Sequence, residues 1–308
     1  MGFKLGPRLN ASGRMNHARD AVELFTTANE DRAAQIAEAL EAANTDRRAV
    51  EARIVKQAEE MAIAAGMTGP DRRAIVLAHK DWHAGVVGIC CSRLVERFCR
   101  PVMLMQIAEH ESMLQAHGSG RSIDGYSLHA GLEACADHLL KFGGHDMAAG
   151  LRLDASRLDA FAESFITHAN ARIEPHMLTH AIDVDAVIDA ASPTTQRIDL
   201  RSIQTLESLK PFGRGNPAVK LLLRNARVKS IRPFGKTNTH AEIHLDIGQA
   251  LPGQYLPITA WSAAADLALP GAPNRLTQGQ PIDIVIEPKI ETYGGPRPAG
   301  TLIDLRLI

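Results

Sequence analysis

Three short segments of this 308-residue chain combine glycine with arginine, serine or histidine. They read "GPRLNASGR" at 6–14, "GSGRS" at 118–122 and "KFGGHDMAAG" at 141–150. Arginine grips phosphate bidentately, and glycine-rich backbone lets N–H groups approach oxygens closely. The chemistry on offer is therefore recognition of a phosphate. Arg8 and Arg14 flank the first segment, which reads as a small-residue turn. Ser119, Arg121 and Ser122 supply a guanidinium fork and two hydroxyls. Gly143 and Gly144 precede His145, which can donate a hydrogen bond or a proton. Each segment alone is more often a turn than a site. Three in one chain, with "DWHAGVVG" at 81–88 opening a helix where anions are favoured, point to convergence.

A second feature is electrostatic. The net charge is −1, yet residues 197–308 carry 14 Lys and Arg against 9 Asp and Glu. Between Glu207 and Glu242 there is no acid, while Lys210, Arg214, Lys220, Arg224, Arg227, Lys229, Arg232 and Lys236 are all basic. On strands such a stripe is a candidate track for nucleic acid, although a solvated face is the ordinary alternative. Aromatics are only 4% of the chain, so any base-stacking platform is small. Phe212, Phe234, Trp261 and Tyr293 are candidates in this region, with most of them, and Trp82, expected in core.

The elements that must position these groups follow from periodicity. Residues 1–25 open with loop chemistry and end in a short helical pattern. Residues 29–65 contain neither Gly nor Pro and keep helical apolar spacing, which predicts a helix about 54 Å long joining two bodies. From residue 74 the pattern is α/β: "AIVLAH" and "PVMLMQI" read as strands around a helix "WHAGVVGICCSRLVERF". "HGSGRSI" reads as a loop or strand edge, "SLHAGLEACADHLLKF" as a helix ended by Gly143, "AAGLRL" as a strand, and 155–173 as a last helix. The remainder is short strands broken by Gly and Pro, with a helical turn near 263–267. That pattern predicts a small β-barrel of OB type.

The four cysteines have neither zinc nor C-x-x-C spacing and read as buried thiols of a reducing compartment. There is no signal-like apolar start and no 18-residue apolar run, so the expectation is a cytoplasmic protein without a membrane span.

Taken as an ordered set, "LGPRLNASGRM", the long helix, "WHAGVVGICCSRLVERFCRPV", "GSGRSIDGYSLHAGLEAC", "FGGHDMAAGL" and "LKPFGRGNP" resemble the second half of the RecJ family of DHH phosphoesterases. The resemblance implies an end of the DHH domain over 1–28, a connector helix over 29–66, an α/β DHHA1 domain over 70–173 and an all-β OB-fold domain over 180–308. It implies single-strand-specific 5′→3′ DNA exonuclease chemistry in recombination and repair, driven by Mn2+ or Mg2+. The sequence has no Asp-His-His motif, so the metal ligands of that family are expected to be absent from it. Arg8, Arg14, Ser119, Arg121, Ser122, Gly143, Gly144 and His145 are then the groups that face the scissile strand and hold its 5′-phosphate. His145 acting as an acid is the weaker option. Arg214, Arg224, Arg227, Lys229 and Lys236 form the single-stranded DNA track. Single-stranded DNA is the implied partner, and single-strand-binding or helicase partners are not specified. The alternatives are a non-catalytic nucleic-acid-binding protein with the same phosphate pocket, and a small-nucleotide or oligoribonucleotide phosphoesterase of the same superfamily.

Overall fold

The computed structural model describes residues 4–15, 18–192, 196–213, 215–269, 271–272 and 274–308. Arg214 lies outside the described residues. The chain forms two compact units, Met1–His180 and Ala181–Ile308.

The first unit begins with helices α1 (Leu5–Met15), α2 (Arg19–Thr26) and α3 (Glu30–Ala64). The "GPRLNASGR" segment is thus helical, not a turn. Pro7 sits in the first turn, where its missing N–H costs nothing, and the packing of α1 on α3 overrides the low propensity of its glycines. Asn29 caps α3 by accepting the Arg32 N–H at 2.9 Å, and Glu30 and Asp31 complement the helix dipole. The buried stripe of α3 is narrow: Ile36, Leu40 and Ala43 in its first half, Ile54, Ala58 and Ala62 in its second.

The α/β part then runs β1 (Ile75–His79), α4 (Ala84–Phe98), β2 (Val102–His110), β3 (Met113–Arg121), α5 (Leu128–Glu133), β4 (Lys141–Gly144), β5 (Ala148–Asp154) and α6 (Leu158–Arg172). The sheet order is β1-β2-β3-β5-β4. Only β1 and β2 are parallel, with α4 as their crossover. Two expectations are corrected here. "HGSGRSI" is largely the central strand β3, not a loop, because its glycines admit the Met103 side chain and the Leu104 backbone of β2. The helix expected up to Gly143 ends at Glu133, and a 3-10 turn at Ala136–His138 follows. Phe142, Gly143 and Gly144 then pair with Leu151, Gly150 and Ala149 as an edge strand. Trp82, Phe161, Phe165 and Leu128 lie in one continuous core with the strand residues. The four cysteines are free and buried, and burial pushes the Cys90 and Cys91 thiols up to about 12.

The second unit comprises β6 (Ala186–Asp189), α7 (Leu200–Glu207), β7 (Leu221–Phe234), β8 (His240–Asp246), β9 (Leu256–Ala260), α8 (Ala264–Leu267), β10 (Pro281–Glu291) and β11 (Arg297–Leu307). Strands β7 to β11 close through the β10–β7 pairing into a five-stranded barrel, and β6 adds a parallel strand to β7. Ile243, Leu245, Ile258, Ile284 and Ile286 fill the interior. No described helix is long and apolar enough to cross a membrane.

Candidate nucleic-acid interface

Strand alternation decides where the β3 side chains go. Ala116, Gly118 and Gly120 are buried, while His117, Ser119 and Arg121 are turned to the opposite, more open face. Helix α4 lies against that face. A side chain at Gly88 would come within 3.4 Å of Ser119 Oγ and 3.5 Å of Arg121 Nη2. The Arg121 Nη1 group also donates to the Gly120 carbonyl at 2.7 Å, which holds the guanidinium over its own strand.

The register carries this face across two more strands. Ser119 pairs with Gly150, and Gly150 pairs with Gly143. Arg121 pairs with Ala148, whose carbonyl accepts the His145 N–H at 2.8 Å. The "GSGR" and "GGH" segments therefore meet at one end of one sheet, separated by the small residues of β5. Gly144 makes the approach possible. Its φ is +143°, and a Cβ there would lie 2.5 Å from the Ala148 oxygen and the Ala149 Cα. His145 is exposed. The turn beyond it is fixed by Asp146, whose carbonyl accepts the Leu128 N–H at 2.9 Å and whose carboxylate accepts the Ser127 hydroxyl at 2.5 Å.

The remaining expected groups divide. Arg14 donates to the Gly85 carbonyl at 3.3 Å and so reaches the first turn of α4, one turn from Gly88 and Arg121. Gly85 is needed for that contact, since a Cβ would stand 2.3 Å from the Arg14 carbonyl oxygen. Arg8 instead pairs with Glu41 of α3 and donates to the Lys4 carbonyl at 2.6 Å. Ser122 is buried, and its hydroxyl donates to the Tyr126 carbonyl at 2.6 Å, closing the turn after β3. The start of α4 is self-capped: His83 Nδ1 accepts the Gly85 N–H at 3.1 Å, which removes one of the free donors an anion would use.

Sequence reading missed two cations and an imidazole on the same face. His117, Arg152 and Lys141 stand abreast on β3, β5 and β4 and border a cavity of about 310 Å³ floored by Gly143 and Gly150. Partial burial, and secondarily the Arg152 charge, hold the His117 imidazole below its usual range. The signal was present as i, i+2 alternation in "HGSGR", "KFGGH" and "AGLR", but only strand pairing aligns the three.

In the second unit the basic stretch is acid-free along the chain and not across the sheet. Arg224 pairs with Asp189, Arg227 with Asp246, and Arg232 with Glu242, to which it is bonded at 2.6 Å. Lys229 and Lys236 have no acid opposite: Lys229 lies 5.2 Å from the Tyr255 ring centroid, and Lys236 occupies the β7–β8 loop. The aromatics also depart from expectation. Trp261 is 58% and Tyr293 87% exposed, so neither is core. Phe234 of β7, His240 of β8 and Trp261 just after β9 form a three-ring cluster, with centroids 5.4 Å, 4.9 Å and 5.9 Å apart. Tyr255 and His240 were not anticipated.

The family model of the DHHA1 domain matches residues 62–171, and that of the RecJ OB domain matches 188–302. The chain belongs to the RecJ family. It is 35% identical over 250 residues to the single-stranded-DNA-specific exonuclease RecJ of Bacillus subtilis, covering 79% of this chain and 30% of that protein. It is 38% identical over 224 residues to the RecJ of Dickeya dadantii, covering 70% and 37%. The crystal structure of Thermus thermophilus RecJ in complex with Mn2+ superposes with a TM-score of 0.76 at 26% identity, over 99% of this chain and 41% of that one. The chain thus spans about a third of the length of the curated relatives it matches. Divalent metal is a property of the family's solved structures, which include Mn2+ and Mg2+ complexes. Among the described residues no three His, Cys, Asp or Glu side chains gather into a metal-holding group, so these residues do not fit that ion.

Proposed function

We propose that this chain is the substrate-gripping part of a RecJ-type 5′→3′ single-stranded DNA exonuclease acting in recombination and repair. In this reading Ser119, Arg121, the Gly143–Gly144 edge and His145 seat the 5′-phosphate, with Arg14 beside them at α4. The observation that carries it is the register Arg121–Ala148–His145, which gathers donors from two separate motifs around a side-chain-poor surface. A terminal phosphate needs donors from more than one direction to be held in register. The role of such a seat is positional: it fixes the first phosphodiester linkage against hydrolytic groups that these residues do not supply. The barrel contributes sequence-tolerant contacts, with Trp261 and Tyr255 as stacking surfaces and Lys229 and Lys236 near the backbone.

The test is a comparison of single-stranded and duplex oligonucleotides of equal length by fluorescence anisotropy. The expected result is at least about tenfold tighter binding of the single strand, since only unpaired bases can stack on the barrel aromatics. Equal affinity for both forms overturns this reading.

A further inference from the structure

The terminal seat uses one end of the open sheet face, and the other end holds two cations and an imidazole without a counterion. Register sets Arg152 between His117 on one side and Lys141 on the other. Residues so paired have Cα atoms only about 4.5–5.5 Å apart, and like charges placed there, as Arg152 and Lys141 are, destabilise a sheet. Among the described residues no hydrogen bond or ion pair answers any of the three side chains. An arrangement with this cost is relieved by an anion. The adjacent cavity of about 310 Å³ has room for one, because Gly143 and Gly150 leave its floor bare. His117 lies four residues from Arg121, about 13–14 Å along an antiparallel strand, so a single phosphate cannot reach both.

We propose that His117, Lys141 and Arg152 form a second phosphate subsite, separate from the terminal seat and continuous with it across the glycine floor. Its ligand is a phosphoryl group carrying at least one negative charge, recognised by the Arg152 fork and the Lys141 ammonium with an imidazole N–H beside them. That phosphoryl group comes from an internal linkage of the bound strand or from the outer phosphates of a polyphosphorylated nucleotide. The inference rests on the reading of the sheet face as a phosphate-binding surface.

Isothermal titration calorimetry on the complete 308-residue chain separates the possibilities. The probes are thymidine 5′-monophosphate, thymidine 5′-triphosphate and the 5′-phosphorylated tetrathymidylate. With a second subsite the tetranucleotide, the triphosphate or both bind at least about tenfold tighter than the monophosphate, as an added charge-assisted contact requires. A gain for the tetranucleotide alone identifies the strand as the source. A gain for the triphosphate identifies the polyphosphate. Lys141→Ala combined with Arg152→Ala removes the gain and leaves the monophosphate affinity unchanged. Lys141→Glu, a reversal at an exposed position, does the same without touching the more enclosed arginine. Arg121→Ala weakens the monophosphate. If it does not, while the Lys141 and Arg152 variants still lose the gain, the terminal seat is wrong and the second subsite stands. The subsite is overturned if both variants keep the parental gain, or if the parent binds all three probes equally or binds none.

Discussion

Arg121 and His145 flank the same residue, Ala148: Arg121 pairs with it across β3 and β5, and His145 donates its N–H to the Ala148 carbonyl at 2.8 Å. With strands about 4.7–4.9 Å apart, the two backbones stand about 10 Å from one another. That separation suits a tetrahedral anion held between side chains that reach in from both sides. It also makes the geometry depend on the residue that turns β4 into the loop.

Gly144→Ala tests that dependence. A Cβ would strike the Ala148 oxygen and the Ala149 Cα at 2.5 Å, with φ at +143°. Backbone strain of this kind costs about 1–3 kcal/mol before any displacement of β5 is counted. The expected outcome is a fall of at least about 2 kcal/mol in the chemical-denaturation stability of the first unit, whereas Gly143→Ala, with no atom within 4 Å of its Cβ, stays near the parent.

Trp261→Ala tests the barrel platform. The ring is 58% exposed and edge-on to His240 at 4.9 Å between centroids, so its removal leaves the interior packing intact. A lost base-stacking contact is worth about 1–3 kcal/mol of single-strand affinity. The anisotropy-derived Kd is expected to rise by that amount with little change in Tm.

The cross-strand acids set the salt dependence. If Lys229 and Lys236 are the barrel's phosphate contacts, log K falls with log salt at a slope of about −1.4, against roughly −3 for a stripe engaged at four or five residues. Replacing both lysines by alanine flattens the slope. Replacing Arg224 and Arg227, which face Asp189 and Asp246, leaves it unchanged.

Acid sensitivity of the first unit should trace in part to His168, the one with a buried partner among its two histidines of depressed pKa, His117 being the other. Its Nδ1 lies 2.9 Å from the Tyr126 hydroxyl, and burial, then the Arg172 charge, holds its imidazole below the usual value of 6.5. A histidine whose folded pKa is depressed binds fewer protons folded than unfolded. Its contribution is present above pH 6.5 and is lost as pH falls through that value toward the folded pKa. Urea midpoints are expected to drop between pH 7 and pH 5, and His168→Gln should reduce that drop.

Much of the fold was legible because burial imposes periods. The apolar runs of β1 and β2 and the long Gly-free stretch of α3 follow directly from them. The first helix and the central strand β3 were misread for one reason: glycine was taken as a loop signal. In β3 it serves close packing, with the Met103 sulfur 2.4 Å from where a Gly120 Cβ would stand. The "GSGR" and "GGH" motifs were visible as chemistry, but Ser122 and Arg8 could not be set aside without knowing that the Tyr126 carbonyl and Glu41 claim them. The acid-free stretch failed as a spatial statement because strand pairing brings acids from β6 and β8 alongside it.

The central claim is that Arg121 helps seat a 5′-terminal phosphate, and a two-by-two binding measurement tests it most directly. The parent chain and Arg121→Ala are each titrated with one single-stranded oligonucleotide carrying either a 5′-phosphate or a 5′-hydroxyl. A charge-assisted contact to phosphate is worth about 1.5–3 kcal/mol. The account predicts that the parent prefers the phosphorylated end by about that amount and that Arg121→Ala abolishes the preference while leaving 5′-hydroxyl affinity near the parental value. A preference that survives in Arg121→Ala, or a parent indifferent to the 5′-phosphate, contradicts the account.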